Sequence, residues 1–146
     1  MKLDRETGYP RGREKILLVD DEPLVRKLSR QLLRSLGYTV VAVPTPEAAM
    51  AHFAADPDSF DLVITDMSTL EISAGGLNRV ISTMRPGMPI LLHTGGIASG
   101  GDDGVIRRVL QKPASLKDFA RAVRGVLDSP KSSLSDAIPR LSASGI

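Results

Sequence analysis

Five short apolar runs, set at similar intervals, govern what this chain can become. They occupy residues 16–19, 39–43, 62–65, 90–93 and 109–111. Runs such as ILLV and LVI are apolar at successive positions rather than alternate ones, which suits strands covered on both faces, as in a parallel sheet. Helical signals fill the intervals. Pro23 fits a first-turn position, Leu24, Leu28, Leu32 and Leu36 share one expected face, and Gly37 follows as a stop. Thr45, Pro46 and Glu47 read as cap, first turn and acidic end of a second helix through Ala55. Leu77, Val80, Ile81 and Met84 mark a third helix. Ser115 caps a last one, with Leu116, Phe119, Ala120, Val123 and Leu127 on its inner face. Strand–helix alternation with right-handed crossovers predicts an α/β fold, a small doubly wound parallel sheet.

Three zones follow. Residues 1–14 hold seven charges, two glycines and a proline and read as a flexible lead-in. Residues 15–128 are the folded domain. Residues 129–146 carry six serines and two prolines and read as a disordered tail, with a weak amphipathic turn at Leu134, Ile138 and Leu141 broken by Pro139.

Composition removes several function classes. Absence of cysteine excludes disulfides, thiolate metal sites and a cysteine nucleophile. Two histidines argue against a histidine-rich zinc site. Aromatics at 3% with no Trp argue against a base-stacking surface. No apolar run approaches the ~20 residues of a membrane span, and the charged N-terminus lacks a signal-peptide core. The expected setting is cytoplasmic, without a membrane or nucleic-acid partner. The pI near 9.2 raises the nucleic-acid question. However, residues 15–128 hold 13 basic and 13 acidic side chains, so the surplus lies in the two ends.

In doubly wound folds the working groups gather at the carboxyl ends of the strands. Here those ends carry Asp20, Asp21 and Glu22 after the first run and Asp66 after the third. Thr94 and then Gly95-Gly96 follow the fourth run; Lys112 and then Pro113 follow the fifth. Three carboxylates in one crevice repel each other, and a divalent cation relieves that repulsion. Oxygen-only ligands favour Mg²⁺, or Mn²⁺, over zinc. Lys112 adds a point charge for a phosphoryl oxygen or a carboxylate, and Thr94 a hydroxyl donor. An Asp beside such a cation suits nucleophilic attack on phosphorus.

In this order and spacing, ILLVDDEP, DLVITDM, ILLHTGG and LQKP resemble the receiver domains of two-component response regulators over residues 15–128. The VDDEPLVR opening and the TG after the fourth run are similar to receivers of hybrid histidine kinases. The resemblance implies a flavodoxin-like five-stranded sheet. It makes Asp66 the phosphoacceptor, with Asp20 and Asp21 as the Mg²⁺-positioning pair and the Ser68 backbone carbonyl completing the metal site. Thr94 becomes the switch hydroxyl, Lys112 the phosphate-pairing lysine and Pro113 a cis-proline, an isomer that costs an X-Pro bond roughly 0.5–1 kcal/mol. Implied partners are a histidine kinase or histidine phosphotransfer protein and, since residues 129–146 are too short for a DNA-binding domain, a protein output partner.

Three places depart from the family pattern. Val109 stands where an aromatic switch residue is usual. Five glycines between Gly95 and Gly104 predict a shortened or irregular fourth helix, at about 1 kcal/mol per glycine relative to alanine. After Asp66, Leu70 replaces a usual proline and Ala74 a usual glycine, with Gly75-Gly76 following. These departures motivate an alternative, a receiver-fold interaction module that signals without phosphorylation. A further alternative is a small Mg²⁺-dependent phosphohydrolase, although Ser68 stands where an acid/base residue is usual. Single residues also admit blander readings. Asp66 could merely cap a turn, Lys112 could be a surface lysine, and Thr94 is at home in a strand. Asp20-Asp21-Glu22 suits a helix N-terminus, the role expected of Glu22. His93 reads as a buried neutral strand residue, and His52 as a helix residue without a role. Gly95-Gly96 lacks the G-x-x-x-x-G-K-[ST] pattern of a phosphate loop, and Arg107-Arg108 read as a solvated edge.

Overall fold

The computed structural model describes residues 3, 5–66, 76–95 and 106–129. Strand β1 (Lys15–Val19) leads to helix α1 (Pro23–Ser35), then β2 (Thr39–Val43), α2 (Pro46–Ala55) and a short 3-10 turn (Pro57–Ser59). Strand β3 (Leu62–Thr65), α3 (Gly76–Met84), β4 (Ile90–Thr94), β5 (Ile106–Gln111) and α4 (Leu116–Leu127) complete the order. All strand pairings are parallel, in the order β2-β1-β3-β4-β5. The first strand therefore lies inside the sheet and the chain winds outward in both directions, as a doubly wound fold requires.

The successive apolar positions of the inner strands serve two cores. Ile16, Leu18, Leu62, Ile64 and Leu91 face α1 and α4, against Leu33, Leu36, Phe119, Ala120 and Val123. Leu17, Val19, Val63 and Ile90 face Ala49 and Phe53 of α2 and Leu77 and Ile81 of α3. Full burial of side chains of this size contributes about 1.5–3 kcal/mol each.

Helix α1 corrects one expectation. Its buried line is Ser29, Leu33 and the following Leu36, while Leu24 is 83% and Leu28 54% exposed. Leucines four residues apart advance 400° per step against a 3.6-residue turn, so they drift around the helix and cannot all share one narrow face. At the N-terminal end the Arg26 guanidinium donates to the Asp20 carbonyl at 2.8 Å and the Arg26 N–H donates to the Glu22 carbonyl at 2.8 Å. Arg26, Lys27, Arg30 and Arg34 give α1 four cations and no acid.

After α1, Gly37 adopts φ +103°, and a Cβ there would run into the Gly12 carbonyl oxygen, so both conformation and space demand glycine. That contact belongs to the docked part of the lead-in. The Gly12 N–H donates to the Leu36 carbonyl at 3.1 Å, Tyr9 packs on the α1–α4 core, and Glu14 pairs with Arg124 at 2.8 Å. Residues 9–14 are thus held to the body by packing and charge, in contrast to the flexible lead-in expected over 1–14.

Thr45 caps α2 by accepting from the Ala48 N–H at 3.1 Å. Ser115 and Asp118 form a reciprocal capping box on α4. Strand β5 begins at Ile106, three residues before the apolar run expected at 109–111. It slips one residue against β4, where Ile90 pairs with Ile106 but Leu91 with Arg108. Ser68, Leu70, Ala74, Gly75, the expected irregular helix over 96–104 and the tail over 130–146 lie outside the described residues.

Candidate functional site

Parallel strands end on a common edge, and each of β1, β3, β4 and β5 delivers a polar residue there. Asp20 follows Val19 and is 1% exposed; Asp66 follows Thr65 and is 4% exposed; Thr94 closes β4 at 4%. Lys112 follows Gln111, its N–H donating to the Thr94 carbonyl at 2.8 Å, which extends the β4–β5 ladder to the site. The Lys112–Pro113 peptide is cis.

The lysine crosses the crevice. Its Nζ lies 3.1 Å from Asp20 Oδ2, 3.0 Å from Glu22 Oε1 and 3.7 Å from Asp66 Oδ2. Asp21 and Glu22 are exposed at the rim. The Glu22 N–H donates to Asp20 Oδ1 at 2.9 Å, fixing the buried carboxylate from the helix side. Burial pushes the Asp20 carboxyl above its ordinary value, and the Glu22 N–H and Lys112 oppose this only in part. For Lys112, burial alone favours the neutral amine, yet bonding to Glu22 and Asp20, with Asp66 nearby, carries its pKa above the ordinary value. The ammonium is therefore retained.

One oxygen from each of Asp20, Asp21, Glu22 and Asp66 lies within 4.8 Å of the others. An all-oxygen set with several carboxylates matches a hard divalent cation, and the burial penalty on Asp20 shows that its charge lacks full compensation from Lys112. The residues present thus fit a hard divalent cation such as Mg²⁺, which this cluster could hold. Ser68, the expected carbonyl ligand, is outside the described residues.

Other expected residues take other places. Val109 sits on β5 at 42% exposure, pointing no ring toward Thr94. His93 is 3% exposed on the face turned to α4, edge-on to Phe119 with ring centroids 5.0 Å apart. Neither ring nitrogen has a hydrogen-bond partner, and burial followed by the Lys112 charge lowers its pKa to about 4, leaving it neutral. His52 is exposed. Two participants were missed in the sequence. Arg26 gives no signal there beyond being six residues after Asp20. Glu22 was read only as a helix-end charge, whereas its carboxylate reaches Lys112 across the site.

A flavodoxin-like sheet whose carboxyl edge sets buried aspartates against a strand-end lysine is the architecture of a receiver. The chain belongs to the response regulator receiver domain family, whose model matches residues 16–124. It is similar to the probable transcriptional regulatory protein TcrX of Mycobacterium tuberculosis, 28% identical over 121 residues, covering 77% of this chain and 49% of that protein. It is 32% identical over 114 residues to the response regulator protein FleR of Pseudomonas aeruginosa, covering 78% of this chain and 23% of that one. The chain thus spans at most about half the length of these curated relatives. Among solved structures it resembles a response regulator receiver domain protein from Clostridium thermocellum, with TM-score 0.68, 26% identity and coverage of 79% and 94%. It also resembles the receiver domain of a sensor histidine kinase from Pseudomonas aeruginosa, with TM-score 0.67, 25% identity and coverage of 81% and 100%. That receiver was solved with a magnesium ion coordinated in its active-site cleft. Receiver domains are signalling modules of two-component systems, and the chain shares their acidic cleft. No helix among the described residues is long and apolar enough to cross a membrane.

Proposed function

We propose that this chain is a phosphorylatable receiver that accepts a phosphoryl group on Asp66 from a histidine kinase or histidine phosphotransfer protein. The observation that carries this reading is the meeting of Asp20, Asp66 and Lys112 within salt-bridge distance at one sheet edge. An Asp66 carboxylate oxygen attacks the phosphorus of a phosphohistidine. The new O–P bond forms as the N–P bond breaks, and the electron pair leaves with the imidazole nitrogen, which takes up a proton. Lys112 pairs with a phosphoryl oxygen once the group is on Asp66, and Thr94 supplies the hydroxyl that responds to the new charge. Asp20, Asp21 and Asp66, with the Ser68 carbonyl, would hold Mg²⁺, which would supply charge neutralisation for the transferring phosphoryl group.

The output we infer is protein–protein contact in the cytoplasm. All five aromatic side chains, Tyr9, Tyr38, Phe53, Phe60 and Phe119, are buried or half-buried, which supports a surface without a nucleic-acid stacking platform. Incubation with acetyl phosphate and Mg²⁺, followed by intact mass, is expected to add one phosphoryl group to the wild type and none to Asp66→Asn. Absence of the adduct, or an equal adduct on the variant, rejects the reading. The exposed Val109 favours a second reading, a receiver-fold module whose partner contact ignores phosphorylation. A partner that binds Asp66→Ala as well as the phosphorylated wild type selects it.

A further inference from the structure

The structure assigns Glu22 a role as a positioning residue: its carboxylate is a latch that holds the Lys112 ammonium at the rim until a phosphoryl group arrives on Asp66. This rests on the phosphorylation proposed for Asp66. Three carboxylates compete for one ammonium, and the geometry ranks them. Glu22 at 3.0 Å and Asp20 at 3.1 Å are within hydrogen-bond reach of Nζ, whereas Asp66 at 3.7 Å is not. The residue that must meet the phosphoryl group is thus turned toward the wrong partners in the resting protein.

Glu22 differs from Asp20 and Asp66 in what else it can do. A cation drawn to the buried aspartates competes with Lys112 for both of them, and Glu22 is then the carboxylate left to the ammonium. Its side chain is 59% exposed, so release returns it to water at little desolvation cost, whereas Asp20 is 1% exposed. Its position is fixed from behind by its own N–H on Asp20 Oδ1 at 2.9 Å and by the Arg26 N–H on its carbonyl at 2.8 Å. A firmly placed backbone with an exposed, detachable carboxylate suits a partner that must let go. A phosphoryl group brings about two negative charges and strong acceptor oxygens to Asp66, enough to outbid one exposed carboxylate. Glu22 therefore sets the threshold at which Lys112 changes sides.

The test uses beryllium trifluoride, a phosphoryl mimic, titrated into the Mg²⁺-loaded protein and followed by NMR. Glu22→Gln is expected to bind the mimic about fivefold more tightly than wild type, the upper scale of one solvent-exposed ion pair. The gain is expected to vanish when the same change is made beside Lys112→Met. The titrations are made at saturating Mg²⁺, so that the charge lost at Glu22 does not act through metal occupancy. In the Mg²⁺-loaded protein without the mimic, the Lys112 side-chain methylene resonances are expected to move on Glu22→Gln and to stay in place when the exposed Glu47 is neutralised instead. Unmoved Lys112 resonances, an unchanged affinity for the mimic, or an equal gain in the Lys112→Met background each overturn the latch alone. A loss of Mg²⁺ affinity on Glu22→Gln as large as that on Asp21→Asn also overturns it, by making Glu22 a metal ligand. A wild type that does not bind the mimic at all overturns the phosphorylation reading as well.

Discussion

Arg124 ties α4, the lead-in and the end of α1 together through one guanidinium. It pairs with Glu14 through both terminal nitrogens at 2.8 Å, reaches Asp128 at 2.6 Å and donates to the Tyr38 hydroxyl at 3.4 Å. Its hydrogen bond is the main reason that the Glu14 carboxyl falls below its ordinary value of 4.5, and it lowers Asp128 in the same way. A carboxyl depressed in the folded state adds stability that is fully present above its unfolded value and is lost as pH falls through the lowered folded value. Arg124→Met should therefore cost about 1 kcal/mol near neutrality and less at a pH well below 4.5. Urea midpoints at the two pH values check this, and an equal loss at both contradicts it. Asp128 is half exposed, so Glu14 carries most of the effect. The Glu14 pairing was not legible in the sequence, because Glu14 and Arg124 are far apart along the chain; only Arg124 and Asp128 stand at a local helix spacing. Asp20, Asp66, Thr94 and Lys112, by contrast, were legible, since each directly follows or ends an apolar run and a parallel sheet collects such positions.

At the level of elements, inner strands were easiest to read and helix faces hardest. β1, β3 and β4 carry apolar residues at successive positions because both faces are covered. β5 was read three residues short because Arg107 and Arg108 interrupt its apolar pattern on an edge with one neighbour. In α1 the line through Ser29 and Leu33 has the same four-residue spacing as the line through Leu24 and Leu28. A serine in the inner line hid it. The two lines should differ in energetic weight. Leu33→Ala, at a fully buried position, is expected to cost about 3 kcal/mol. Leu24→Ala should change stability by less than about 0.5 kcal/mol. Denaturant melts of the two variants settle which face is structural, and similar losses would place the buried stripe elsewhere.

For the whole molecule, the balance of 13 basic and 13 acidic residues over 15–128 conceals segregation. The basic charge of α1 stands beside an acidic crevice at the sheet edge, so the net count says little about local fields. Charge placement also bears on the sheet's outer margin. Among the described residues β5 is the last strand in its direction, and an edge strand of this kind can template pairing with another chain. The one-residue slip at Ile106–Arg108 breaks the even spacing that an incoming strand would need, and the two arginines add repulsion between copies. Replacing both Arg107 and Arg108 with valine should leave the monomer folded but raise light scattering at high concentration. An unchanged scattering profile would deny the arginines this duty. A kink that interrupts the pairing of β4 and β5 thus also acts as a guard against fibrils.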